Sequence, residues 1–427
     1  MAPADFIFFI YINIKALLHL PQYGPSKDGR WILMKYSVSE VIQYVREEDV
    51  KFIRLAFCDI SGRQRNMAIM PYELERAFTF GMPVDPTAIT GFGAYGPSEL
   101  YLHPDPSTLA QLPWRPESGR VIRMFCNITH ADGTPFEADM RALLSRTAEN
   151  AAAKGLSFEF GTSMEFYLFK NDEEGNPTKI PHDNAGYMDI APIDRGENVR
   201  REIQLNMERM GIQPESSHHE EGPGQNEIDF VNADPLSCAD NAVTFVSVVK
   251  TIAARNGLTA DFSPKPVPEL PGSGLHVSMA VNASDGRDHL DAVSAGIISK
   301  IREMTVFLDP LDNSYERFGQ NKAPKYISWS EGDRSHLMRI PKVPDGKRMA
   351  ELRSPDPMSN PYIVFTLLLS AGLYGIEHEL KLPDSICQDL YSAPDSVRRG
   401  LATLPLSLKE AENAAGNSDF IRSVLPE

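Results

Sequence analysis

The chain has 427 residues, 42% of them hydrophobic, which allows two or three domains with real cores and argues against disorder. Its 42 Lys and Arg against 58 Asp and Glu give a formal charge of -16, which excludes a nucleic-acid surface as its main business. The four cysteines, Cys58, Cys126, Cys238 and Cys387, are far apart and form no C-x-x-C pair, so neither a thiolate zinc site nor a disulfide framework is expected and a reducing cytoplasm is the expected location.

The most apolar run, Phe6 to Leu18, is shorter than the about 20 residues a membrane span needs and is interrupted by Lys15. It has no basic segment before it and no small-residue cleavage site after it, so residues 1–33 read as an N-terminal extension with no membrane role. From Met34, strand-like runs alternate with turns: VKFIRLAFCD, SGRQRNMAIM, LYLHPDPSTL and RVIRMFCNI, with one helical stretch around Pro71 to Phe80. That predicts a small mixed-sheet domain over 34–133. A second domain, 138–427, opens with an Ala-rich helix over Asp139 to Lys154 that stops at Gly155. Further helical runs follow at Asn198–Met210, Asp240–Asn256, Leu290–Leu308 and Tyr362–Leu380, interleaved with strands, so the fold class is α+β.

Four strand-like segments of this second domain each carry polar side chains two residues apart: FGTSMEFYLF, QNEIDF, GSGLHVSM and MAELRSP. Because side chains alternate faces along a strand, Ser163 and Glu165, Glu227 and Asp229, His276 and Ser278, and Glu351 and Arg353 each share a side. One such strand is a solvated sheet; four of them suggest a curved sheet whose concave face binds cations. Carboxylates with a single imidazole suit Mg²⁺ or Mn²⁺. In HHEEGPGQNE, Glu220 precedes a Gly/Pro turn that leads to Glu227, so Glu165, Glu220 and Glu227 can converge on one ion; the blander alternative is a solvated acidic loop. Arg317, Arg334, Arg339 and Arg353 form a basic group, with Arg339 set between apolar Met338 and Ile340. Guanidinium groups clamp phosphate and carboxylate bidentately, and arginines beside metal carboxylates suggest phosphoryl transfer from a nucleotide.

Six segments, AGYMDIAPIDRGENVRR, SHHEEGPGQNEIDF, PKPVPELPGSGLHVSM, NSYERF, DRSHLMRIP and ELRSPDPMSNPY, resemble in order and spacing the glutamine synthetase family of the bacterial class I type, from Met34 to the C-terminus. The resemblance implies a β-grasp-like N-terminal domain, then a catalytic half-barrel of curved antiparallel sheet with flanking helices. It implies a homo-oligomer, a dodecamer of two hexameric rings with sites between neighbouring subunits. It makes Glu165, Glu220 and Glu227 ligands of a first Mg²⁺ or Mn²⁺, and His276 and Glu351 ligands of a second. Gly272, Arg317 and Arg353 would hold glutamate; Ser278, Arg334 and Arg339 would face ATP and the transferred phosphoryl group. Asp85, from the adjacent subunit, and Tyr187 would bind and deprotonate ammonium.

The chain departs from the family pattern in places that matter. Ser163 stands where the family has a second-ion Glu, and a hydroxyl is a poor replacement for an anion. Glu159 shares its parity but lies too far back. Lys322 stands where the family carries the Glu that accepts the proton of ammonium, in a loop one residue shorter; Pro271 and Ala88 are smaller changes. The tail ending in SDFIRSVLPE is expected to lack the helix that ties the two rings. Three functions stay open: glutamate–ammonia ligase, γ-glutamyl ligase for a larger amine or polyamine, and a catalytically weak regulatory homologue.

Overall fold

The structure is a computed structural model that describes residues 23–25, 31–33, 35–116, 118–320, 322–342 and 347–426. The expected apolar run Phe6–Leu18 lies outside the described residues. Two short strands, β1 (Tyr23–Pro25) and β2 (Trp31–Leu33), pair antiparallel ahead of the body.

The first sheet contains β3 (Val50–Cys58), β4 (Gln64–Ile69), β5 (Met82–Val84), β6 (Leu100–Pro104), β7 (Ala110–Gln111) and β8 (Arg120–Thr129), in the order β4-β3-β8-β6-β5 with β7 also on β8. β3 runs parallel to β8 and the other pairs are antiparallel, so the sheet is mixed, as expected. Helix α1 (Val38–Glu47) was not anticipated. Its Val38, Val41, Ile42 and Val45 recur at the helical spacing i, i+3, i+4 and i+7 but are β-branched residues that favour strands, whereas Ser37 and Glu40 form a capping box that fixes its start. The predicted helix near Pro71 is a 3-10 turn (Pro71–Glu73) running into α2 (Leu74–Phe80).

The second sheet is built around β9 (Leu156–Asn171), a 16-residue strand. Its partners are β10 (Pro177–Pro181), β11 (Pro214–His219), β12 (Gln225–Phe230), β13 (Leu258–Asp261), β14 (Leu275–Ala283), β15 (Trp329–Ser330), β16 (Met338–Arg339) and β17 (Ala350–Leu352). The order is β11-β12-β9-β14-β17-β16-β15, with β10 and β13 also on β9; every pair is antiparallel except β15 with β16. Along β9, Phe160, Thr162, Met164, Phe166 and Leu168 are buried on the helix-covered face, where Phe160 stacks on Phe365 at 4.8 Å and Phe166 meets Phe245 at 5.9 Å. The alternation leaves Gly161, Ser163 and Glu165 for the other face.

That covered face carries α3 (Met140–Ala153), α4 (Glu197–Arg209), α5 (Pro235–Arg255), α6 (Leu290–Leu308) and α7 (Pro361–Glu377), with α8 (Leu408–Gly416) and α9 (Asp419–Val424) following the tail segment. α5 begins five residues before the expected Asp240, because Asp234 caps it and Pro235 takes the first helical position, where a missing N–H costs nothing. It is the one described helix with the length and apolarity of a membrane span, and its apolar side is buried in the core. α6 and α7 cross at Gly296 and Gly375; a Cβ on Gly296 would lie 2.1 Å from the Ala371 carbonyl oxygen, so only glycine allows the contact.

The sheet domains are tied by Arg141 of α3. Its guanidinium donates to both oxygens of Asp240 on α5, to Asp105 at 2.9 Å and to Asn127 of β8 at 2.8 Å, and Tyr362 donates to Asp240 at 2.6 Å. This fixes the first sheet against the helices that back the second.

Candidate active site

The concave face of the second sheet encloses a cavity of about 370 Å³. Of the residues predicted from sequence, Glu165, Glu220, Glu227, His276, Glu351, Gly272, Ser278, Tyr187, Arg317, Arg334, Arg339 and Arg353 all line it. Asp85 does not: it caps a 3-10 turn in the first domain, is exposed, and accepts hydrogen bonds from the Thr87 N–H at 2.8 Å and the Thr87 hydroxyl at 2.6 Å. Glu159 pairs with Ala280 further along β9 and is not among the lining residues.

Register brings the donors together. Glu227 is the cross-strand partner of Glu165, and Asp229 that of Ser163; on the opposite side of β9, Ser163 faces His276 and Gly161 faces Ser278. Ser278 in turn faces Glu351, and Glu351 faces Arg339. The strand pattern read from sequence thus becomes one continuous polar surface across β12, β9, β14, β17 and β16.

The acidic side is crowded. His218, Glu220 and Glu227 have donor atoms within 4.8 Å of one another, with His218 Nε2 at 2.9 Å from Glu220 and 3.7 Å from Glu227. Glu165 accepts from Gln225 Nε2 at 3.0 Å and the Gly274 N–H at 2.9 Å. Burial, reinforced by the charge of Glu220, pushes the Glu165 carboxyl up to about 8. Burial and the neighbouring Glu165, Asp229 and Glu220 push Glu227 well above the carboxylate range. Burial acts the same way on Glu220, but hydrogen bonds from His218, Glu227 and the Glu221 N–H outweigh it and hold Glu220 low. Those opposite shifts mean that a proton shared between Glu220 and Glu227 belongs to Glu227. Three carboxylates this close, Glu165 and Glu227 buried and Glu220 half-buried, ionise together most readily around a cation, so the oxygen-rich donor set fits a divalent hard ion.

His276 is half-buried, and desolvation together with Arg353, Arg317, Arg339 and Arg334 keeps its pKa well below the usual histidine value. It is therefore neutral, as a metal-ligating imidazole must be, with Nε2 4.0 Å from Glu165. Glu351 is held by Arg339 at 2.8 Å and by a close contact to Arg353. Arg334 makes no hydrogen bond or ion pair with any described residue.

Arg317 depends on residues that the sequence did not single out. Its Nη1 donates to Asp309 and to the Ser354 carbonyl, both at 3.1 Å, in a fully buried setting that also contains Asp356. Burial and Asp356 push Asp309 well up, with Arg317 opposing them; burial pushes Asp356 up to about 6. The signal available was the pair of Asp-Pro steps in LDPLD and SPDPM, which fix turns on either side of the arginine. Gly272 packs under the same side chain, since a Cβ there would lie 2.5 Å from Arg317 Cγ.

At the mouth, the Lys322 ammonium forms an ion pair with Glu221 and lies 4.9 Å from the centre of the Tyr187 ring, which meets His218 edge-on at 5.3 Å. A second group, Asp183, Asp194 and His219, is fully internal. Asp183 accepts from His219 at 3.0 Å and from the backbone of Gly224 and Arg195, and Asp194 pairs with Arg200, so this group braces the loops around Glu220.

Comparison with known proteins agrees with this architecture. The glutamine synthetase catalytic-domain model matches residues 137–427 and the glutamine synthetase beta-Grasp-domain model matches residues 49–131. A glutamine synthetase of Clostridium saccharobutylicum is 40% identical over 408 residues, 92% of each chain. One of Methanosarcina mazei is 41% identical over 404 residues, covering 91% of this chain and 90% of its own. Among solved structures, a GmaS/ADP complex superposes with a TM-score of 0.81 at 28% identity, covering 92% of this chain and 93% of that one, and apo GmaS with 0.79 at the same identity, covering 90% and 92%. A β-grasp domain followed by a curled sheet with a carboxylate-and-arginine cavity defines a ligase fold. The chain belongs to the glutamine synthetase family.

Proposed function

We propose that the chain is an ATP-dependent glutamate–amine ligase of the glutamine synthetase type, with ammonium as acceptor and γ-glutamyl phosphate as intermediate. The observation that carries the reading is the single cavity in which the carboxylates Glu165, Glu220 and Glu227 oppose Arg317, Arg334, Arg339 and Arg353. In this account the catalytic domain spans 138–427 and the β-grasp-like domain 34–133.

Glu165, Glu220 and Glu227 would hold a first Mg²⁺ or Mn²⁺, and His276 with Glu351 a second. When bound, these ions would neutralise phosphate charge and make the γ-phosphorus more electrophilic. Arg317, fixed from behind by Asp309, and Arg353 clamp glutamate; Gly272 lets its backbone approach. Arg334, without a partner among the described residues, and Arg339 meet the phosphoryl oxygens, and Ser278 meets ATP. A γ-carboxylate oxygen attacks the γ-phosphorus and ADP leaves; the amine then attacks the acyl carbon and phosphate leaves. Tyr187 borders the amine subsite. Asp85, exposed in its own chain, completes that subsite of a neighbouring subunit in a ring, and two such rings form a dodecamer.

A larger primary amine is the second reading. Lys322 carries a cation where the acceptor would arrive, and the superposed GmaS structures belong to a neighbour carrying another name within the same fold. The test is glutamate-dependent ADP formation with ammonium and a panel of alkylamines and diamines, with the γ-glutamyl product identified by mass. Ammonium turnover above all others supports the first reading, turnover confined to an organic amine the second, and glutamate-independent ADP release alone would overturn both.

A further inference from the structure

Arg54 on β3 and Arg123 on β8 are direct partners in the parallel ladder of the first sheet. Neighbouring strands run about 4.8 Å apart and paired side chains share a face, so two guanidinium groups stand side by side there. Both line a pocket of about 230 Å³ between that sheet and helix α5, with Trp114 and Arg115 joining them from the loop between β7 and β8. α5 contributes Thr244, Ser247 and Thr251, so both domains supply its walls. No Asp or Glu lines the pocket, in a chain whose formal charge is -16.

The three arginines are short of acceptors. Arg123 is buried, with its Nη2 donating to the Thr244 hydroxyl at 3.2 Å and its guanidinium carbon 4.0 Å from the centre of the Phe125 ring. Its Nη1 is buried with no hydrogen-bond partner among the described residues. Arg54 reaches only Asn66, through a long 3.5 Å contact. The Arg115 side chain meets no acceptor among the described residues. Asp240, the acid whose charge bears most on Arg123, is already held by Arg141 and Tyr362. Adjacent like charges repel, and a buried donor without an acceptor costs free energy; one anion relieves both.

We propose that this pocket binds a phosphate group, free or carried by a small metabolite, held by Arg54, Arg115 and Arg123 with Trp114 beside it. Three planar guanidinium forks offer more donors than a single carboxylate can accept, and they match the several oxygens of a tetrahedral dianion. The volume lies below the about 300–1,000 Å³ of sites for drug-sized ligands, so the ligand is small. The pocket shares no lining residue with the concave cavity, which makes it a second anion site and not an arm of the nucleotide site. Because its walls come from both domains, an anion held there braces the junction that Arg141 already ties.

The test uses Trp114 as the reporter. The chain has three tryptophans, so the full chain carrying Trp31→Phe and Trp329→Phe keeps Trp114 alone. It is titrated with inorganic phosphate, glycerol 3-phosphate and succinate at an ionic strength held constant with NaCl, without ATP or glutamate. Phosphate or its ester should change the Trp114 emission saturably, and the tighter of the two tells free phosphate from a phosphorylated metabolite. Arg54→Met and Arg115→Met, each in that background, should raise the apparent Kd at least tenfold; Arg115 is exposed, which covers the case in which Arg54→Met folds poorly. Arg339→Met, in the concave cavity, should leave the titration unchanged. No saturation beyond the NaCl control, unchanged affinity in a folded pocket variant, loss of the response in Arg339→Met, or tighter binding of succinate than of either phosphate would overturn the proposal. Because no turnover is measured, the outcome is separable from the ligase reading, which the product assay decides.

Discussion

Replacing Lys322 with methionine removes a charge while keeping an unbranched side chain that packs against the Tyr187 ring. In the structure the ammonium is engaged twice, by Glu221 and by the ring face 4.9 Å away, and the ion-pair side chains are 43% and 35% exposed. At that exposure the pair contributes about 0.2–1 kcal/mol. The contact over the ring adds about 0.5–1 kcal/mol. An incoming ammonium that uses the same carboxylate and ring face must displace about 1–2 kcal/mol of existing interaction, which corresponds to about 5–30-fold in affinity. Lys322→Met should therefore lower the KM for ammonium by about that factor, with a smaller change in kcat, because the competing interaction belongs to the ground state. Initial rates of glutamate-dependent ADP formation over a range of ammonium concentrations measure both. The gap between variant and wild type should shrink at high ionic strength, since exposed charges are screened. An unchanged or raised KM in the variant at low salt would refute the reasoning and move the acceptor away from Glu221 and Tyr187.

Other perturbations test the remaining layers. Glu220→Ala should cut turnover by about a hundredfold or more through loss of a cation ligand, yet leave the melting temperature nearly unchanged, because it also removes the charge that pushes Glu165 upward; turnover and thermal melts decide. Arg141→Met strands the buried Asp240 and the half-buried Asp105 and should cost about 3–5 kcal/mol in urea unfolding. The Asp356 carboxyl has a folded-state value of about 6, above the 3.8 of the free group, so its stabilising contribution is complete below about pH 4 and is lost as pH rises through about 6. Wild type should lose up to about 3 kcal/mol from this group over that window, and Asp356→Asn, which stays neutral, should flatten the pH dependence of denaturant midpoints between pH 4 and 7.

Much of the cavity was legible from local sequence because its pattern is local. A period of two puts Glu165 with Ser163 and His276 with Ser278 on one face whatever the strands pair with. The helices with strong 3.6-residue patterning were equally readable, α6 from Leu290 to Leu308. What the sequence could not supply was register. That Asp229, Ser163 and His276 form a row depends on β9 pairing with β12 on one side and β14 on the other, contacts between residues 66 and 113 apart. Asp356 escaped for a similar reason, since it matters through Arg317 in another segment, whereas Asp309 lies only eight residues before that arginine and was overlooked in a short loop. Lys322 was readable as a misplaced cation, but its partner Glu221 was one more acid in an acidic loop. α1 was legible but missed: Val38, Val41, Ile42 and Val45 carry the helical spacing and Ser37 and Glu40 the capping pair, although the β-branched residues themselves favour strands.

In the proposed reaction the γ-carboxylate of glutamate is phosphorylated before an amine attacks. Glutamate labelled with ¹⁸O in the γ-carboxylate, incubated with the chain, ATP, Mg²⁺ and the best acceptor amine, tests it directly by mass analysis of the released phosphate. One ¹⁸O atom is expected in each phosphate, formed in step with the γ-glutamyl product. Phosphate that carries no label, with its oxygen drawn from water, would contradict it.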